Sequence, residues 1–159
     1  LTPLLIISGG QTGVDRGALD AALAAGTPCA GYCPAGRLAE DGPIPERYPL
    51  AETAGSDYRE RTFRNVSASD GTLILCPGRP GGGTALTQTA CTVLDRPCLV
   101  VDANVTDVRG AVELAAGFVS SGPVRRLNVA GPRASEWRDG YRFAFRVVSG
   151  LLSRRPPSL

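Results

Sequence analysis

Two glycine-rich strings, Ser8-Gly9-Gly10-Gln11-Thr12-Gly13 and Pro80-Gly81-Gly82-Gly83-Thr84, have the composition of anion-binding turns. Each follows an apolar run, Leu4 to Ile7 or Thr72 to Cys76, and each opens a helical pattern, near Asp15 to Ala25 or Thr84 to Leu94. A helix start leaves backbone N–H groups unpaired and carries a partial positive charge, and glycine lets an oxyanion approach that backbone with no Cβ in the way. A glycine pair also suits a plain strand-to-helix turn. The second string holds more glycine than such a turn requires and adds the Thr84 hydroxyl at the helix start. Two such ends on one sheet edge predict a pocket for an anionic ligand. Neither string is a G-x-G-x-x-G dinucleotide fingerprint or a G-K-S/T phosphate loop.

All 17 basic side chains are arginine, and the 159-residue chain has neither lysine nor histidine. That composition excludes a Schiff base, a phosphate-loop lysine, an imidazole base and a His-ligated metal. Against 15 acidic groups the net charge is +2, too balanced for a general nucleic-acid binder or a polybasic membrane anchor. An anion must therefore be held locally. Arg61 and Asn65, four apart on a helix face with Thr62 between them, offer a fork donor and an amide to the cleft; a solvated face fits the same spacing. Asp15 and Arg16 enter the first helical turn, where a carboxylate complements the macrodipole or meets a ligand. Arg37 and Asp41 form a surface ion pair or bring charge to the pocket.

The five cysteines, Cys29, Cys33, Cys76, Cys91 and Cys98, are odd in number and lack paired C-x-x-C spacing, which argues against a zinc site or a disulfide framework. Cys33 and Cys76, at carboxyl ends of strands, pack as small hydrophobes or, more sharply, offer a soft contact to a metal-bearing ligand. The N-terminal apolar run is too short for a membrane span, and we expect a cytoplasmic protein.

Apolar runs alternate with helical segments throughout. This predicts an α/β fold with a mainly parallel five-stranded sheet and helices on both faces, in one domain over residues 1–153. The strands are placed at Leu4 to Ser8, Cys29 to Cys33, Thr72 to Cys76, Cys98 to Asp102 and Arg126 to Val129. Helices are placed near Asp15 to Ala25, Asp57 to Val66, Thr84 to Leu94, Val108 to Ser120 and Glu136 to Leu152, with Ser56, Asp107 and Ser135 as N-caps. Trp137, Tyr141 and Phe145 form a helix stripe for the core or a subunit contact. Pro34 to Ser56, rich in proline and glycine, reads as a functional loop at the carboxyl edge of the sheet, where open α/β sheets bind ligands. Residues 154–159 read as a disordered tail.

The string from Ser8 through Val14-Asp15-Arg16-Gly17-Ala18-Leu19-Asp20 is joined by Gly31-Tyr32-Cys33-Pro34-Ala35-Gly36-Arg37, Ala39-Glu40-Asp41-Gly42 and Tyr48-Pro49-Leu50. Arg61-Thr62, Asn65-Val66, Ser69-Asp70-Gly71-Thr72 and Gly82-Gly83-Thr84-Ala85-Leu86-Thr87 follow. In this order the motifs closely resemble the molybdenum cofactor carrier proteins. The resemblance implies a Rossmann-like fold, a homo-oligomer, and a non-catalytic protein that binds, protects and hands on molybdenum cofactor, a pterin with a phosphate and a dithiolene-held molybdenum oxo group. It adds a molybdoenzyme as transient recipient. The ligand contacts then fall to Gly9, Gly10, Gln11, Thr12, Gly13, Arg37, Asp41, Arg61, Asn65, Gly81, Gly82, Gly83, Thr84 and Thr87. The wider superfamily includes cytokinin-activating phosphoribohydrolases with Pro-Gly-Gly-x-Gly-Thr-x-x-Glu. Here the glycine string is one residue shorter, and Thr87 stands where those enzymes have their catalytic glutamate. The alternatives are a nucleoside-monophosphate phosphoribohydrolase, with Asp15, Glu40 or Asp41 as its acid, and a sensor of a nucleotide-derived ligand.

Overall fold

A computed structural model describes residues 3–154. In chain order the elements are β1 (Leu5–Ile7), α1 (Val14–Ala24), β2 (Cys29–Ala30), β3 (Tyr32–Cys33), β4 (Leu38–Ala39), β5 (Gly42–Pro43) and β6 (Ala51–Glu52). Then come α2 (Tyr58–Ser67), β7 (Gly71–Cys76), α3 (Gly82–Val93), β8 (Cys98–Asp102), α4 (Val108–Ser121), β9 (Arg126–Ala130) and α5 (Gly140–Ser153). The main sheet has five strands in the order β2-β1-β9-β7-β8, and every pairing in it is parallel. The predicted α/β Rossmann-like sheet is present.

The last strand in sequence thus lies at the centre, between β1 and β7. If β9 is counted first, the spatial order becomes 3-2-1-4-5, the order of the dinucleotide-binding sheet up to its fifth strand. The chain is that fold circularly permuted, its opening strand moved to the carboxyl end. In this topology the switch point, where ligands bind, falls between β9 and β7.

The two faces of the sheet are unequal. On one, α5 packs between α1 and α4, closing a large core around Ile6, Leu73, Leu75, Leu127, Val129, Val147 and Leu151. The other holds α2 against α3 over a small cluster of Val66, Ala90 and Cys91. β7 is buried at all six positions, as a central strand covered on both faces must be.

The structure corrects several local expectations. The predicted strand Cys29 to Cys33 breaks at Gly31, whose φ is +154° and whose Cβ position would collide with the Ser8 carbonyl. β2 stays on the main sheet, while β3 leaves it and pairs with β6, Tyr32 opposite Ala51. The N-cap of α2 is Asp57, accepting from Arg59 N–H at 2.9 Å, rather than Ser56. Helix α5 begins five residues after Ser135, because the Ser135 hydroxyl and N–H are both donated to Glu40. Trp137 therefore lies outside the helix, 5.4 Å from the Phe143 ring, while Tyr141 stacks on Phe145 within it. Asp107 caps α4 as expected, accepting from Gly110 N–H at 2.8 Å. Most of the tail placed at 154–159 lies outside the described residues; Arg154, within them, pairs with Glu113. No helix among the described residues is long and apolar enough to cross a membrane.

Candidate anion-binding site

A cavity of about 240 Å³ opens at the carboxyl ends of β1, β7 and β9, at the switch point that the strand order defines. Four segments build it: Gly9, Gln11 and Asp15 after β1; Tyr58, Arg61, Thr62 and Asn65 on α2; Gly82 to Thr84, Leu86 and Thr87 on α3; and Asn128 to Arg133 with Glu136.

Arg61 is the central charge. Its side chain is brought in by the buried face of α2, and the residue is 9 % exposed. One guanidinium nitrogen donates to the Gly9 carbonyl at 2.8 Å, and the group lies 5.2 Å from the Tyr58 ring centroid. Among the described residues no carboxylate stands within ion-pairing distance of it. A buried cation without a paired anion is costly unless something supplies the charge. Asp15 supplies part of it from nearby. Burial pushes that carboxyl up to about 6, against the lowering effect of Arg61 and of donors on Gln11, Ser8 and Gly9.

The start of α3 lines the same cavity. Thr84 and Ala85 N–H donate to the Gly81 carbonyl, leaving the Gly82 and Gly83 amides at the positive end of the helix. A Cβ at Gly81, Gly82 or Gly83 would meet nothing within 4 Å. This turn is open to a ligand.

The remaining predicted site residues divide into two groups. Thr84, Thr87 and Asn65 line the cavity, but the Asn65 amide is engaged with the backbone of Tyr32, accepting from its N–H at 2.8 Å and donating to its carbonyl at 3.0 Å. Thr87 donates to the Gly83 carbonyl at 3.2 Å. Gly10, Thr12, Gly13, Gly81, Arg37 and Asp41 are not among the lining residues. Arg37 donates to four backbone carbonyls, of Ile44, Leu50, Pro45 and Tyr48, at 2.8 to 3.1 Å, and so fastens the loop that carries it. Asp41 pairs with Arg16, not Arg37, through two bonds of 2.6 and 2.8 Å. Thr12 donates to Glu40 and accepts from Ala134 N–H at 3.1 Å, tying the first turn to the segment after β9. The Ser135 hydroxyl and that of Thr12 hold the Glu40 carboxyl below the usual carboxylate range.

The sequence does not single out the wall formed by β9 and the segment after it: Asn128, Gly131, Pro132, Arg133 and Glu136. Two local signals mark it, a polar Asn inside a strand and a Gly-Pro directly after it. Both gain meaning only once β9 is known to lie at the centre of the sheet. Among the described residues, no group of three or more His, Cys, Asp or Glu side chains converges to hold a metal.

A permuted parallel sheet with an open cavity at its switch point defines a Rossmann-type domain. Residues 6–152 match the family described as circularly permutated YpsA SLOG, and the chain belongs to that family. It is also similar to a solved structure from Syntrophus aciditrophicus SB, named "putative molybdenum carrier protein". The two chains are 42% identical, the match covers 95% of this chain and 96% of that one, and the TM-score is 0.92. No curated protein matches the chain.

Proposed function

We propose that this protein binds molybdenum cofactor and carries it without acting on it. One observation carries the reading: a buried guanidinium with no carboxylate in ion-pairing distance shares a cavity with the bare glycine amides at the start of α3. Together they suit a compact, strongly anionic ligand. The likeness over nearly the full length to a protein named as a molybdenum carrier supports this ligand over other anions. Contacts fall to Gly9, Gln11, Arg61, Gly82, Gly83, Thr84 and Thr87 among the residues the sequence singled out.

A phosphoribohydrolase needs a carboxylate where Thr87 stands, and the Thr87 hydroxyl is donated to Gly83. We therefore expect no release of base from nucleoside monophosphates. Five free cysteines fit a reducing compartment such as the cytoplasm. Exposed Tyr141, stacked on Phe145 in α5, is the proposed centre of a homo-oligomer contact.

The test is native mass spectrometry and metal analysis of protein purified anaerobically from its host, followed by transfer to a cofactor-free molybdoenzyme. Molybdenum with a pterin in the protein, and activity restored in the recipient, is the expected result. A nucleotide in their place would overturn the proposal.

A further inference from the structure

Arg61 is not alone at its end of the cavity. Asp15 enters from the first turn of α1, is 7 % exposed, and accepts from Gln11 N–H at 3.2 Å. The two side chains converge on one point above Gly9, where a Cβ would sit 2.4 Å from an Arg61 guanidinium nitrogen and 3.0 Å from Asp15 Oδ2. An oxyanion drawn to Arg61 therefore meets a carboxylate in the same enclosed volume, and two like charges there repel unless a proton lies between them.

We propose that the Arg61 end of the cavity takes an oxyanion that shares a proton with Asp15, the phosphate monoester of the ligand, and that Asp15 is the specificity-determining residue that disfavours oxyanions too weakly basic to hold that proton. The inference rests on the anion cavity of the carrier reading and assigns the phosphate end of that ligand. In the complex one proton is shared: either the carboxylate accepts from the phosphate hydroxyl, or the carboxylic acid donates to the fully ionised phosphate. Binding of a monoester dianion to ionised Asp15 takes up one proton from solvent. Bare dianions such as sulfate and molybdate bring no proton at neutral pH, so they either meet the repulsion or bind only protein whose Asp15 is already protonated, and as weaker bases than a phosphate dianion they hold that shared proton less well.

The surroundings of Asp15 agree. From α2 only Arg61 bears on it, and Gln11 N–H donates to it from the turn at 3.2 Å, while the Ser8 hydroxyl is given to the Val129 carbonyl at 2.7 Å. Beyond β9 the charged lining residues, Arg133 and Glu136, pair with each other at 2.9 Å. Arg16, next along α1, is directed to the Gly10 carbonyl and Asp41. Burial already lifts the Asp15 carboxyl to about 6, close to the second ionisation of a phosphate monoester at about 6, so a proton is readily shared between them.

Calorimetric titration of the full chain with inorganic phosphate, sulfate and molybdate tests this. Near neutral pH phosphate should bind at least about tenfold tighter than either of the others, and its affinity should fall about tenfold per pH unit as the pH rises above 7, as one-proton linkage requires. In Asp15→Asn the preference should collapse and the pH slope flatten, because the amide supplies a donor of its own. Equal binding of sulfate by the parent protein, a preference retained in Asp15→Asn, or no phosphate binding in the millimolar range would each overturn the proposal. If Asp15→Asn does not fold, selectivity and pH slope of the parent decide. Normal cofactor delivery without phosphate selectivity sinks this inference and leaves the carrier proposal standing; selectivity without delivery does the reverse.

Discussion

The two glycine-rich turns look alike in sequence and have opposite surroundings in the fold. At the first, protein fills the space that glycine vacates. Gly10 has Leu50 at 2.5 Å and Ile44 at 3.1 Å from its Cβ position, and Gly13 lies under the backbone of Pro132 to Ala134. At the second, the Cβ positions of three consecutive glycines look into open space. The helix that follows the first turn is therefore sealed, with Val14 N–H directed to the Pro132 carbonyl at 3.4 Å, while the helix after the second presents bare amides. Glycine content alone does not distinguish a turn that must pack from one that must bind. What lies beyond the missing Cβ does.

That contrast is broken most severely at Gly13. Its φ is +82°, and a Cβ there would sit 2.6 Å from the Pro132 carbonyl oxygen and 2.8 Å from Ala134 N, both backbone atoms. Strain plus overpacking should make Gly13→Ala less stable by about 3 to 5 kcal/mol. Urea unfolding measures this, and a loss below about 1 kcal/mol would show that the sealed turn yields more easily than a packed interior should.

Arg37→Ala comes next, and it separates the two arginines as the glycines are separated. Arg61 faces the cavity; Arg37 satisfies four carbonyls of its own loop. Losing those charge-assisted bonds should cost about 2 to 4 kcal/mol after water re-satisfies the more exposed carbonyls. The folded fraction should still bind ligand. Arg61→Ala should show the reverse, with ligand binding lost in protein that remains folded.

The pH dependence sharpens the comparison from within the first turn. Asp15 is raised from 3.8 to about 6 in the folded protein, chiefly by burial. The native state then holds a proton that the unfolded state has already released, so stability falls as the pH rises from about 4 to 6 and is level above. A shift of two units corresponds to about 2 to 3 kcal/mol. The difference in unfolding free energy between the parent and Asp15→Asn, followed across that window, isolates the contribution from Glu40 and Asp41, whose depressed carboxyls act in the opposite sense at lower pH. A flat difference would mean that Asp15 is better solvated than its burial implies.

Local pattern carried the fold a long way. The apolar runs at β1, β7, β8 and β9 and the helices α1, α2, α3 and α4 lie where the sequence places them, within a few residues. What local pattern lacks is adjacency. Gly31 divides a run that looks like one strand, because the obstruction is the Ser8 carbonyl, distant in sequence. Ser135 has the composition of a helix cap and is claimed instead by Glu40, 95 residues away in the chain. The same limit hid the Asn128 to Arg133 wall: nothing within that segment shows that its strand is inserted between β1 and β7. Arg37 lies beside the glycine turns in pattern, yet the carbonyls of Ile44 to Leu50 take every donor it is seen to use.

The smallest effect on stability is expected at Gly83, and it decides most about the second turn. Gly83 has no positive φ to defend, is already helical, and its Cβ position meets nothing within 4 Å. If glycine were present there only to make the turn, Gly83→Ala would be harmless or mildly favourable, since alanine restricts the unfolded chain and suits a helix, a gain of about 0.5 to 1 kcal/mol. If it is present so that an oxyanion can reach the backbone, the same substitution should weaken ligand binding by about tenfold or more, the equivalent of one charge-assisted hydrogen bond. We expect both together: equal or greater resistance to urea, and loss of cofactor retention on gel filtration. Gly82 cannot supply this test cleanly, because its φ of +51° adds backbone strain to any substitution. A stable Gly83→Ala protein that keeps its ligand would place the anion elsewhere in the cavity and leave the open turn without a purpose. A variant that gains stability while losing the ligand would show that the missing methyl group is a requirement of binding alone.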